Sequence, residues 1–136
     1  MNTKEVYPHI ELTEKIIGAA FEVHNKLGGG FVEKVYENAL AAELRKQGHF
    51  VEQQKPVSVQ YKDESVGEFV ADMIVDETVL LEIKAVKFLT GEYESKLIHC
   101  LKAAGIEVGL LLNFGESVQV KRKIFTPKSQ PSVNNP

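Results

Sequence analysis

The 136-residue chain has a single cysteine, Cys100, so no intrachain disulfide can form. A disulfide scaffold is excluded, and a lone thiol suits a reducing compartment. Basic residues are not in excess. Sixteen Lys and Arg against 19 Asp and Glu leave a net charge of −3, whereas a general nucleic-acid coat protein would be strongly basic. Any polyanion binding must therefore come from a local patch. No apolar run approaches the ~20 residues needed to span a membrane. The polar stretch Met1–Glu14 lacks the apolar core of a signal peptide. These absences predict a soluble, cytoplasmic protein with no membrane partner.

What is present suits one folded domain. Hydrophobic residues make up 43% of the chain, enough for a core at this length. The expected domain is 1–127, and the polar, proline-containing stretch 128–136 reads as a disordered tail. Ile16, Ile17, Ala20, Val23 and Leu27 recur at helical spacing, with Thr13 as the expected N-cap and Gly28-Gly29-Gly30 as the stop. A second helix is expected over Phe31–Gln47, closed by Gly48. Alternation predicts strands at Val57–Tyr61, Gly67–Val75 and Val79–Ala85. A helix at Glu92–Ala104, a strand buried on both faces at Val108–Asn113 and an edge strand at Val118–Phe125 complete the pattern. The order predicts an α/β fold, one central mixed sheet flanked by helices.

Three charged residues break the apolar pattern: Asp72, Glu82 and Lys84. If Val75 faces Val79 across the tight link Asp76-Glu77-Thr78, Asp72 lies directly opposite Glu82, with Cβ atoms ~4.5–5.5 Å apart. Glu82 and Lys84 are two residues apart on one strand and share a face. Two facing carboxylates need an offsetting charge. That charge is Lys84, in an ordinary buried ion pair, a hard cation such as Mg²⁺, which takes oxygen ligands and keeps several waters, or both. Glu33, at the start of the second helix, shares a stripe with Tyr36, Leu40 and Leu44 and could reach the same patch. Alternatively it only complements the helix dipole.

The segment Gly30-Phe31-Val32-Glu33-Lys34-Val35-Tyr36 resembles the G-x-x-E-x-x-Y signature of the GxxExxY proteins, a group within the PD-(D/E)XK nuclease superfamily. The likeness extends through Val23-His24, Leu27-Gly28, Glu37-Asn38-Ala39-Leu40, Ala71-Asp72, Leu81-Glu82-Ile83-Lys84-Ala85 and Gly109–Gly115. It covers roughly residues 10 to 125. The resemblance implies a restriction-endonuclease-like core and a Mg²⁺- or Mn²⁺-dependent nuclease, with DNA the favoured substrate. It implies that Asp72, Glu82, the Ile83 carbonyl and Glu33 hold the metal and that Lys84 meets the attacking water or the scissile phosphate. In one departure, Lys96 and Cys100 stand where relatives usually carry a glutamine and an aromatic. Lys96 would still meet a phosphate, as a point charge. The competing expectation is a nuclease-like module that binds nucleic acid or a protein with little or no catalysis.

Other residues read more simply. Cys100, between Leu97 and Leu101, is expected to pack inertly, and His24 and His99 lack zinc-ligand spacing. The three glycines are no P-loop, because no Gly-Lys-Ser/Thr follows. Lys121-Arg122-Lys123, with Lys128 nearby, forms the cationic cluster. It either protects a sheet edge or contacts phosphates, with Lys121 and Lys123 on one face. A homodimer would let a domain this small reach two strands, but nothing in the sequence indicates an interface.

Overall fold

The computed structural model describes residues 7–126, and the expected tail at 128–136 lies outside the described residues. Two helices, α1 (Ile10–Leu27) and α2 (Glu33–Lys46), precede β1 (Val51–Tyr61), β2 (Glu64–Val75) and β3 (Val79–Lys84). Helix α3 (Gly91–Ala104), β4 (Val108–Phe114) and β5 (Val118–Ile124) follow. The strands form one five-stranded sheet in chain order. Among the described residues only the β3–β4 pair is parallel, as a crossover through α3 requires. The other three pairs are antiparallel, so the expected mixed sheet is present. Among the described residues no helix is long and apolar enough to cross a membrane.

The two-residue period of β3 sorts the core into two layers. Val79, Leu81 and Ile83 pack with α1 and α2 through Ile16, Ala20, Tyr36, Leu40 and Leu44. Leu80 faces the opposite layer, where Leu97, Cys100 and Leu101 of α3 cover Ile74 and Leu111. Gly109 permits that closeness: a Cβ there would meet the Leu97 and Leu101 methyl carbons at 3.0 Å. Cys100 is 2% exposed, and burial pushes its thiol up to about 11, with Glu82 adding to the shift. A thiol so buried and held protonated packs as a small apolar side chain.

Several element ends differ from expectation. Helix α1 starts at Ile10, with His9 rather than Thr13 at its N-cap position. Thr13 is fully buried inside the helix, where its hydroxyl donates to Ile10 O (3.1 Å) and accepts from Arg122 Nη2 (2.6 Å). The hydroxyl therefore ties α1 to β5 rather than capping a free helix end. Strand β1 begins at Val51, six residues before the expected start. Its polar opening, Glu52–Pro56, lacks strand propensity but pairs along β2, with Pro56 tolerated on an edge strand. Lys62 and Asp63, both at positive φ (46° and 70°), make the two-residue turn to β2.

Candidate active site

The site grows from a break in the middle of the sheet. Strands β2 and β3 pair only at Val75–Val79, Ile74–Leu80 and Met73–Leu81. The next position would set Asp72 against Glu82, as the hairpin arithmetic anticipates, but the backbone ladder stops there. Side chains take over the hydrogen bonding. Asp72 Oδ2 accepts the Ile83 backbone N–H at 2.7 Å. The Asp72 backbone N–H in turn stabilises the Glu82 carboxylate. The ladder also lapses on the other flank of β2, where β1 pairs Gln53 with Met73 and Lys55 with Ala71, skipping Gln54 and Asp72.

The strand period then decides which layer each charge enters. Glu82 and Lys84 share parity with Leu80 and so point to the α3 side, not the α2 side. Lys84 Nζ lies 4.9 Å from the centroid of the Tyr93 ring of α3, a cation–π contact that holds the ammonium there. Helix α2 reaches the same charges from its first turn, where Glu33 feels Lys84 and Asp72. Thus Asp72, Lys84 and Lys96 each act on both Glu82 and Glu33. Glu37, one turn further along α2, also acts on Asp72 and Glu33, so the patch lies between the start of α2 and α3.

The electrostatics are those of acids short of cations. Glu82 is 5% exposed. Burial, and then the Asp72 charge, raise its pKa to about 7, against the opposing pull of Lys96 and Lys84. Burial also raises Asp72, while the Ile83 N–H holds it back. Glu33 is raised chiefly by burial. Among the described residues none of these acids forms an ion pair with Lys84 or Lys96, which separates the site from an ordinary buried salt bridge. No three His, Cys, Asp or Glu side chains stand together as a ready-made metal cage among the described residues. Mg²⁺ does not need one, because it is usually held by one or two carboxylates and keeps several waters. Asp72, Glu82 and the Ile83 carbonyl are hard oxygen donors of that kind.

The cationic cluster of β5 divides. Lys121 pairs with Leu111, which pairs with Glu82, so Lys121 stands level with the site two strands away on the α3 side. Lys123 is bound to Glu94 of α3 at 2.6 Å. Arg122 turns to the opposite layer and meets Thr13.

Residues that were not among the candidate ligands hold this end of the sheet. Asn113, fully buried, accepts from Val86 N (2.8 Å) and donates to Val86 O (2.9 Å), pinning the chain just after Lys84. Tyr36 stacks on Phe114 at 4.7 Å, and its hydroxyl donates to Gly28 O at 2.6 Å. Gly28 and Gly30 take positive φ (74° and 105°) in that loop. Two of the three signature residues, Gly30 and Tyr36, therefore shape the loop that leads to Glu33. Glu37, 3% exposed, accepts from Lys34, Gln53 and Gln54. The sequence marks Glu37 only within the matched stretch Glu37-Asn38-Ala39-Leu40, with no role attached to it.

The model of the PD-(D/E)XK nuclease superfamily matches residues 10–124 of this chain. Among solved structures, an alkaline exonuclease from Laribacter hongkongensis is similar, with a TM-score of 0.54 and 13% sequence identity. The match covers 75% of this chain and 60% of that one, so the chain spans about 60% of the exonuclease's length. That likeness is one of fold. No curated protein matches the sequence.

Proposed function

The chain belongs to the PD-(D/E)XK nuclease superfamily, and we propose that it is a metal-dependent nuclease that hydrolyses phosphodiester bonds of nucleic acid, with DNA the favoured substrate. Gly30, Glu33 and Tyr36 support placing it within the GxxExxY group. The observation that carries the activity is Glu82, a carboxylate buried beside Asp72 with no paired cation among the described residues. A structural core would not keep two such acids together unless a ligand used them.

In this reading Asp72, Glu82 and the Ile83 carbonyl hold the ion, aided by Glu33. A bound Mg²⁺ or Mn²⁺ supplies Lewis-acid stabilisation of the scissile phosphate and activation of water. Lys84, steadied over Tyr93, orients the attacking water or neutralises the developing charge. Lys96, exposed on α3, and Lys121 offer phosphate contacts on the same side. Lys123 belongs to this group only when its contact with Glu94 opens. The local cations suit a protein whose net charge of −3 denies it a general attraction to polyanions.

The test is a panel of labelled single-stranded, double-stranded and branched DNA and RNA, incubated with Mg²⁺, Mn²⁺ or EDTA. Cleavage by the wild type with metal, and none by Asp72→Asn, is the expected result. Metal-independent binding without cleavage of any substrate would overturn the enzyme and favour a binding module.

A further inference from the structure

Each helix that borders the acidic patch is preceded by a loop that presents a phenylalanine to solvent. Phe31, two residues before Glu33 at the start of α2, is 49% exposed, and Phe88, four residues after Lys84 and just ahead of α3, is 73% exposed. Single exposed apolar side chains are ordinary, but these two stand on pinned backbone at one end of the sheet. Phe31 N donates to the Tyr36 hydroxyl at 3.2 Å, and the two rings meet edge to face at 6.2 Å. Both loops abut the β4–β5 turn. A Cβ on Gly29 would lie 3.1 Å from Gly115 O, and one on Gly115 would lie 3.3 Å from Val86 O.

Phe88 also walls an open hollow of about 430 Å³, shared with Lys87, Gly115, Glu116, Ser117 and Gln119. Lys84 pairs with Asn113 and Asn113 with Gln119, so Gln119 stands level with Lys84, about 10 Å across the sheet. Gln119 is fixed through Oε1 by Asn113 Nδ2 at 3.0 Å. Lys87 Nζ lies 5.8 Å from the centroid of the Phe88 ring. An aromatic face, a cation beside it and a fixed amide match a flat, hydrogen-bonding base and its phosphate. A base within a duplex does not offer its face, because its neighbours are stacked on it.

We propose that Phe88, with Phe31 on the other side of the patch, is a stacking platform for unpaired nucleobases, so that the strand at the site is single-stranded. The proposal rests on the reading of the protein as a nuclease and names the form of its substrate. Bases parted from their complement stack on the rings, and the backbone passes Lys84 between them. Stacking holds a strand where a net charge of −3 provides no general attraction.

Phe50 provides the control. It is 56% exposed, but its carbonyl accepts from Asp76 N in the turn before β3, at the opposite end of that strand from Lys84. Fluorescence anisotropy would follow a labelled DNA strand, alone and annealed to its complement, binding to the full-length protein in EDTA. The wild type should bind the strand at least tenfold more tightly than the duplex. Phe88→Ala should unfold at the wild-type temperature, because the ring is exposed, and bind the strand about fivefold more weakly or worse, the least that one base–aromatic stack is worth. Its duplex binding and its salt dependence should be unchanged, because no phosphate contact is lost. Phe31→Leu, which keeps bulk against Tyr36, should weaken strand binding in the same direction, and Phe50→Ala should stay within twofold of wild type. Equal binding of strand and duplex by wild type, undiminished strand binding by Phe88→Ala, or an equal loss in Phe50→Ala would overturn the platform. The nuclease reading fails separately: strand binding that depends on Phe88, with no cleavage in Mg²⁺ or Mn²⁺, would support the platform and remove the enzyme. Binding of neither form by wild type would overturn both.

Discussion

Glu37 and Glu82 are both buried carboxylates, 3% and 5% exposed, and their surroundings are opposite. At the junction of α2 and β1, Glu37 receives Lys34, Gln53 and Gln54, so its oxygens are matched by donors. In the centre of the sheet, Glu82 has a second acid beside it and no ion-paired lysine among the described residues, and its proton is held up to about pH 7. Burial alone therefore does not mark a functional acid. Glu37 is satisfied by the protein and stabilises it. Glu82 costs stability and is kept where Asp72, Lys84 and Lys96 gather. The same contrast divides β3, whose first half, Val79–Leu81, is fully buried and apolar and whose second half carries the charges.

Exchanging the two roles by mutation tests that difference. The largest effect is expected at the open site. Asp72→Asn should lower cleavage by about 10³-fold or more, since metal stabilisation is worth several kcal/mol and each ~1.4 kcal/mol is tenfold. It should also abolish any rise in melting temperature on adding Mg²⁺. Calorimetry of wild type and variant with and without Mg²⁺ checks this, and equal responses would move the metal elsewhere. Lys84→Ala should reduce kcat by roughly 10²–10³ yet leave Mg²⁺ binding intact or stronger, since a competing cation has gone. If Lys84 were instead only half of a structural ion pair, the variant would be unfolded and not rescued by Mg²⁺.

At the closed site the effect should appear in stability. Glu37→Ala leaves two amides facing a hole and should cost about 1–3 kcal/mol in urea denaturation. Glu82→Gln should do the reverse without metal, making the protein more stable above pH 7 while removing metal binding.

The pH dependence sharpens the contrast further. In the metal-free protein folded Glu82 keeps its proton to about pH 7, whereas the unfolded chain releases it near the ordinary glutamate value of 4.5. The folded state thus binds more protons between these values, and stability falls as pH rises through that window. The expected loss is on the order of 2–3 kcal/mol, with Asp72 acting in the same direction. Thermal melts in EDTA from pH 4 to 8 should show the decline in wild type and a flatter profile in Glu82→Gln. The smallest effect is expected at the periphery: Lys121→Ala should raise KM a fewfold and reduce the salt slope of binding by about one. Lys123→Ala should change KM less, because Glu94 already holds that ammonium.

Much of this molecule is set by local pattern. The order of helices and strands, the hairpin register at Val75–Val79 and the shared face of Glu82 and Lys84 follow from 3.6- and 2-residue periods, which act over a few residues and are written in the chain. The glycine stops at Gly28 and Gly105 are equally local. Element ends were less legible. Thr13 has the chemistry of a cap, but Arg122, 109 residues away, claims its hydroxyl. The polar start of β1 becomes strand only because β2 lies beside it. Tertiary structure alone decided that the β2–β3 ladder stops one pair short of Asp72 and Glu82. It also decided that β3 turns those charges toward α3, and that Glu37 is satisfied while Glu82 is not. The physical reason is range: periodicity tells which way a side chain faces along its own element, whereas burial, hydrogen-bond partners and net electrostatic balance depend on groups from distant segments that meet only once the sheet and its two helical layers have closed.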